Sequence, residues 1–210
     1  WEAEAEAEEA RRKAEEARAE EAAQAEAQRK AEPAEARRKA EEAALQVLEQ
    51  AIKKTDIDVI LAVMTQHRDS AEVQYRGCKV LMQLATKTNA NRHTIAEKGG
   101  IDVILAAMRQ HPDIGIVRRW GCQALTKVGG NHANSRTIAE KGGFEAVFRA
   151  MTQHSHDEGM QRWGCYMMQA MVDFKSVRPA VREGKAVMDA ALSNFPNNDC
   201  IRWYHGEIQI

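Results

Sequence analysis

Three histidines and three cysteines recur in this 210-residue chain at matched positions, His67 with Cys78, His111 with Cys122 and His154 with Cys165, eleven residues apart each time. Every one of these cysteines closes a motif of cationic and aromatic residues ahead of a glycine. The motifs read VQYRGC at Val73 to Cys78, VRRWGC at Val117 to Cys122 and MQRWGC at Met160 to Cys165, with a degenerate copy, CIRWYHGE, at Cys200 to Glu207. A thiol beside arginines can serve as a nucleophile, and a His/Cys ladder can hold a metal. Repetition argues against both. A catalytic centre is not built several times in one chain. Stacked helices about 8–10 Å apart also keep equivalent residues from converging within about 2.0–2.3 Å of one ion. The residues read instead as small buried cysteines and as histidines at helix C-termini, where they complement the helix dipole. His154 and His156 stand close together, but two ligands in a loop make no site. P-loop, GxGxxG, HExxH, paired CxxC and GxSxG motifs are all missing. The chain therefore reads as non-enzymatic, with no catalytic residue, cofactor, metal or small-molecule substrate.

The elements that carry these motifs are set by a longer period. The marker glycines Gly77, Gly121, Gly164 and Gly206 lie 44, 43 and 42 residues apart, a spacing characteristic of an all-α solenoid. Units fall near residues 55–99, 100–142 and 143–184, with a partial one at 185–210. Each opens with an apolar block of helical spacing such as IDVILAAM. QHPD follows as a turn, in which Pro112 and Asp113 favour the start of the next helix. A long amphipathic helix is predicted from about Val117 to Val128, then a polar loop at Gly129 to Ser135, a short helix TIAEK and a Gly-Gly stop at Gly142 and Gly143. Glycine in mid-helix costs roughly 0.5–1 kcal/mol relative to alanine. Its recurrence implies a close approach, expected on the face where successive long helices meet.

Composition separates an N-terminal arm from this body. Residues 1–50 hold fifteen Glu against nine Lys or Arg, a net charge of −6, leaving the remaining 160 residues at +5. The arm, residues 1–44, is built from Ala, Glu, Lys, Arg and Gln and predicts helix with a break near Pro33. The nine residues EARRKAEEA occur twice in it, at Glu9 to Ala17 and Glu35 to Ala43. Ala3, Ala7, Ala10, Ala14 and Ala17 trace a heptad seam, but alanine buries little surface. A solvated spacer and a coiled-coil partner helix both remain open. Apolar content begins at Leu45, Val47, Leu48 and Ile52, where the folded domain, residues 45–210, is entered. Four cysteines in 210 residues are too few for a disulfide scaffold, which points to an intracellular setting. The longest apolar runs fall far short of the roughly 20 residues a membrane helix needs, so no membrane partner is expected. The opening Trp1 and the incomplete last unit suggest a piece of something longer.

The recurring blocks GGIDVILAAM, VQYRGCKVLMQLA and NRHTIAEKGG resemble the armadillo (ARM) repeat family from Thr55 to Gly206, with the related HEAT repeat as the alternative subtype. That resemblance implies a right-handed superhelix of three-helix repeats whose long third helices line a concave groove for extended peptides or partner proteins. In the members that bind nuclear import signals, a Trp with an Asn four residues later recurs on those helices. Here the Trp slots hold Lys79, Gln123 and Tyr166 and the Asn slots hold Gln83, Lys127 and Ala170, which argues against that ligand.

On the same helices, Tyr75, Lys79, Arg119, Gln123, Lys127, Arg162 and Tyr166 fall on one stripe by four-residue spacing, with Trp120 and Trp163 beside it. Aromatics and arginines are the usual anchors of interfaces, although they can also close the packing between repeats. The expected role is protein–protein interaction or scaffolding, a subunit of a large complex included. The partner is an acidic extended or helical segment, in a cytoplasmic or cytoskeletal/ciliary setting. The alternative is RNA or another polyanion stacked on the Arg/Trp/Tyr stripe, for which a charge of +5 is weak support.

Overall fold

The computed structural model describes residues 12–13, 20 and 33–207. The chain divides into two units, Trp1–Ala43 and Ala44–Ile210. In the first, residues 33–43 are helical, while the helix break expected around Glu32 and the alanine seam lie outside the described residues. The second unit is built of helices joined by short turns, with no strand among the described residues. It opens with α1, residues 44–54. Three triplets follow: α2 (Ile57–Gln66), α3 (Ala71–Lys87) and α4 (Asn89–Glu97); α5 (Gly100–Gln110), α6 (Gly115–Val128) and α7 (His132–Glu140); α8 (Gly143–Gln153), α9 (Glu158–Met171) and α10 (Arg178–Glu183). The pair α11 (Lys185–Asn194) and α12 (Asp199–Glu207) closes the described chain.

Local chemistry sets many of these boundaries. Side chains of Asp56, Ser70, Thr88, Asn131 and Asp157 accept from the backbone N–H three residues on and so satisfy the orphan donors of α2, α3, α4, α7 and α9. Helices α5 and α8 start instead after Gly99 and Gly142, whose φ of 80° and 73° is the left-handed turn that separates one unit from the next. The helix that follows Pro112 and Asp113 starts at Gly115, with Ile114 as an N-cap that makes no side-chain cap bond. One expectation is corrected here. The loop expected at Gly129 to Ser135 is shorter, because Asn131 caps a helix that already begins at His132.

The long helices pack in series, α3 on α6, α6 on α9 and α9 on α12, and the first helix of each unit packs against its own long helix. The core runs along this stack through Met64, Leu81, Ile104, Leu125, Phe144 and Met168. Polar bridges tie neighbouring units together. His111 Nε2 donates to the Arg68 carbonyl at 2.8 Å, His154 Nε2 to the Pro112 carbonyl at 3.1 Å, and Asn134 Nδ2 to the Arg92 carbonyl at 3.0 Å.

Three of the four marker glycines sit at close approaches, but not where the sequence placed them. A Cβ on Gly121 would stand 2.5 Å from Met108 Cγ and 2.7 Å from its Sδ. Gly77 and Gly164 face Met64 and Met151 in the same way. The crowding partner is thus a methionine on the first helix of the same unit, not the neighbouring long helix. Gly206 has nothing within 4 Å of such a Cβ.

Candidate protein-binding stripe

The slot that gives each long helix a cation or an aromatic lies beside the line along which these helices stack, so side chains from neighbouring units meet there. Lys79 of α3 is exposed and sets its ammonium 5.3 Å from the ring centre of Trp120 on α6. Lys127 of α6 repeats the arrangement one unit on, 4.8 Å from the Tyr166 ring and 5.9 Å from that of Trp163 on α9, while donating to the Tyr166 hydroxyl at 3.1 Å. Contacts of this kind contribute about 0.5–1 kcal/mol each at exposed sites. The ring series continues: Trp163 meets Tyr166 at 5.5 Å, Tyr166 meets Tyr204 at 5.2 Å, and Tyr204 meets Trp203 at 5.1 Å. Trp203 is 53 % exposed. Burial pushes the Tyr204 phenol above its ordinary pKa, and the charge of Arg162 pulls the other way.

Tyr75 stands at the other end, half-buried, donating from its hydroxyl to Glu72 Oε1 at 2.9 Å; Arg76 Nε donates to the same oxygen at 2.6 Å. The hydrogen bond from Arg76 holds the Glu72 carboxyl below its ordinary pKa, aided by Tyr75 and opposed by burial. Beside them a cleft of about 300 Å³ is lined by Leu45, Leu48, Glu49, Ile52, Arg76 and Lys79 with Tyr75, so the stripe begins in a concavity that is partly apolar and carries charges of both signs.

Eight of the nine residues expected on the stripe are exposed or half-buried. Gln123 is not: at 6 % exposure it lies inside the packing of α6 and offers a partner little. Arg119 is half-buried, 3.9 Å from Asp157, the residue that caps α9, and so is partly committed to the junction between units. Arg162 is exposed. Trp203 and Tyr204, assigned above only to the degenerate last copy, extend the ring series. Their position in RWYHGE, one period beyond Arg162 and Trp163, is the signal that could have placed them there.

The three thiols are closed to chemistry. Cys78, Cys122 and Cys165 are fully buried, and burial pushes each up to about 12. Among the described residues no three His, Cys, Asp or Glu side chains gather closely enough to hold a metal ion, and no helix is long and apolar enough to cross a membrane.

A family model described as LRRK2 ARM repeat matches residues 36–204. Neither a curated protein nor a solved structure matches the chain. The match covers α2 to α11 whole, with most of α12, and so takes in every motif from which the armadillo resemblance was read. The chain belongs to the LRRK2 ARM repeat family.

Proposed function

We propose that this chain is a non-enzymatic protein-interaction module of right-handed superhelical form that holds an acidic extended or helical partner segment along the stripe of α3, α6 and α9. The observation that carries this reading is the alternation of Lys79, Trp120, Lys127, Trp163, Tyr166 and Tyr204 across successive long helices. Ammonium groups resting on rings keep donors free for carboxylates, and the rings supply rigid apolar area that costs little entropy to immobilise. A family of interaction repeats supports the same role. Within it, the positive balance of residues 51–210 favours acidic partners by steering and by register. Scaffolding within a larger cytoplasmic or cytoskeletal/ciliary assembly is the corresponding role.

The test is a titration of the chain with acidic peptides, helical and extended, followed by fluorescence anisotropy. Lys79→Glu with Arg162→Glu should weaken binding at least tenfold, about 1.4 kcal/mol, and leave the melting curve near wild type, because both side chains are exposed. Undiminished binding by the double variant would place the partner elsewhere. The ring series also suits single-stranded nucleic acid, the second reading. A steep fall of affinity with salt on a single-stranded oligonucleotide, with no binding of acidic peptide, would favour it over the first.

A further inference from the structure

The middle unit departs from its neighbours at one buried position. Gln74 of α3 and Gln161 of α9 occupy the same slot and do the same work. Gln74 Nε2 donates to the Met64 and His67 carbonyls at 2.8 and 3.0 Å, and Gln161 Nε2 to those of Met151 and His154 at 2.7 and 3.0 Å. Each closes the C-terminus of the preceding helix. In α6 the slot holds Arg118, which is 3 % exposed. Its Nη2 reaches into the next unit and donates to Gln153 Oε1 at 3.0 Å, while its Nε is buried with no hydrogen-bond partner. Two glutamine-filled slots show that the fold does not need a guanidinium here, and a buried charge without full compensation is costly.

The surroundings make that cost greater. Arg118 lines a cleft of about 370 Å³ with Arg109 and Lys141, and with Glu145 and Arg149 of α8. The Lys141 ammonium is held by Asp102 at 2.7 and 2.9 Å, whereas Arg109 and Arg149 are exposed. Burial lowers the Arg118 pKa, the charge of Arg149 lowers it further, and Asp113 on the preceding turn opposes them. Glu145 is the carboxylate on the cleft wall, so arginines outnumber the acids that could compensate them.

We propose that this cleft is a binding site for a phosphoryl group, received by Arg118, Arg109 and Arg149. A phosphoryl group offers three strong acceptor oxygens and a charge of about −1.5 to −2 at neutral pH, which suits several forked guanidinium donors better than a carboxylate with two oxygens. The cleft leaves room behind that group for whatever carries it. Its lining shares no residue with the proposed partner stripe, so the site does not depend on that reading.

Thermal unfolding of the whole chain, with inorganic phosphate titrated against sodium chloride at matched ionic strength, tests this. Arg118→Gln installs the residue of the sister units, and Arg149→Gln changes an exposed side chain. Phosphate should raise the wild-type melting temperature above the chloride control, and either variant should weaken the apparent Kd at least tenfold. Without phosphate, Arg118→Gln should melt at or above the wild-type temperature. A phosphoserine peptide that binds more tightly than both free phosphate and its unphosphorylated form assigns the site to a modified partner segment; free phosphate binding as well as the peptide assigns it to a small ligand. The proposal is overturned if neither probe stabilises beyond chloride, or if both variants bind phosphate as wild type does. Should Arg118→Gln not fold, Arg149→Gln decides alone.

Discussion

Replacing Gly121 by alanine separates two opposed effects of one methyl group. Alanine in mid-helix gains roughly 0.5–1 kcal/mol over glycine. The added Cβ, however, would stand 2.5 Å from Met108 Cγ and 2.7 Å from Sδ, and Met108 is itself fully buried, so it must shift within its packing or toward the cleft that it lines. Overpacking of a filled core costs about 1–3 kcal/mol, so Gly121→Ala should be destabilising on balance. The decisive measurement is a double-mutant cycle. Met108→Ala alone leaves a cavity and costs about 2–5 kcal/mol, but in that background the methyl of Gly121→Ala meets space. The double variant should therefore be more stable than the sum of the single losses predicts, by a coupling of about 1–3 kcal/mol, read from urea melts. For a domain of this size that coupling corresponds to about 2–4 °C of melting temperature per kcal/mol. Gly206→Ala serves as control, since its Cβ meets nothing within 4 Å, and should cause no loss. Additivity within about 0.5 kcal/mol, or a gain in stability from Gly121→Ala alone, would refute the steric account.

Other consequences are open to direct measurement. N-ethylmaleimide at pH 8 should modify Cys200, the exposed thiol, in the native protein and reach Cys78, Cys122 and Cys165 only above the urea midpoint; intact mass resolves the steps, and modification of all four in the native state would mean the stack opens readily. Asn134→Ala removes an amide that donates to Val128 and Arg92 carbonyls at 2.8 and 3.0 Å and should cost about 1–3 kcal/mol, seen as a lower midpoint in urea; no change would mean water replaces it without penalty. Glu72 has a folded pKa below its unfolded one, so its contribution is present above the unfolded value and is lost as pH falls through the folded value. Because the pair with Arg76 is partly exposed, Glu72→Gln should change stability at pH 7 by less than about 1 kcal/mol while flattening the acid limb of the stability curve below about pH 4.5. A large loss at pH 7 would give Glu72 a structural role beyond this ion pair.

Most of the helical plan was legible because it rests on local chemistry that repeats. Apolar spacing marks α2, α5 and α8, and the recurring blocks place the long helices α3, α6 and α9 after them. What failed depends on tertiary contacts. Asparagine and glycine near Gly129 read as loop by composition, but the Asn131 side chain caps α7 and the Asn134 amide is bound to two carbonyls, which turns the same residues into helix. Four-residue spacing placed Gln123 on the stripe, yet α6 lies between α3 and α9 and also packs against α5, so its buried arc is wider than a surface helix shows. The methionines facing the glycines sit on a different helix, at a separation that periodicity alone does not convey. Arg118 was visible as an odd letter in a Gln, Arg, Gln column, but its significance needed the two carbonyls that its sister residues cap.

The bridges from His111 to the Arg68 carbonyl and from His154 to the Pro112 carbonyl also determine how the array bears load. Each is a short polar strut between the ends of consecutive first helices, so bending there strains a directed hydrogen bond rather than a sliding apolar contact. At the next junction the C-cap is Phe195, which has no such donor, and the struts are instead exposed side-chain amides, Asn194 to the Ser155 carbonyl at 3.2 Å and Asn198 to Glu158 Oε1. The array therefore behaves as a spring of unequal stiffness, firm between its first three units and compliant at the fourth. Pulled from its ends, it should give way by peeling α11 and α12 off first, leaving the earlier units stacked.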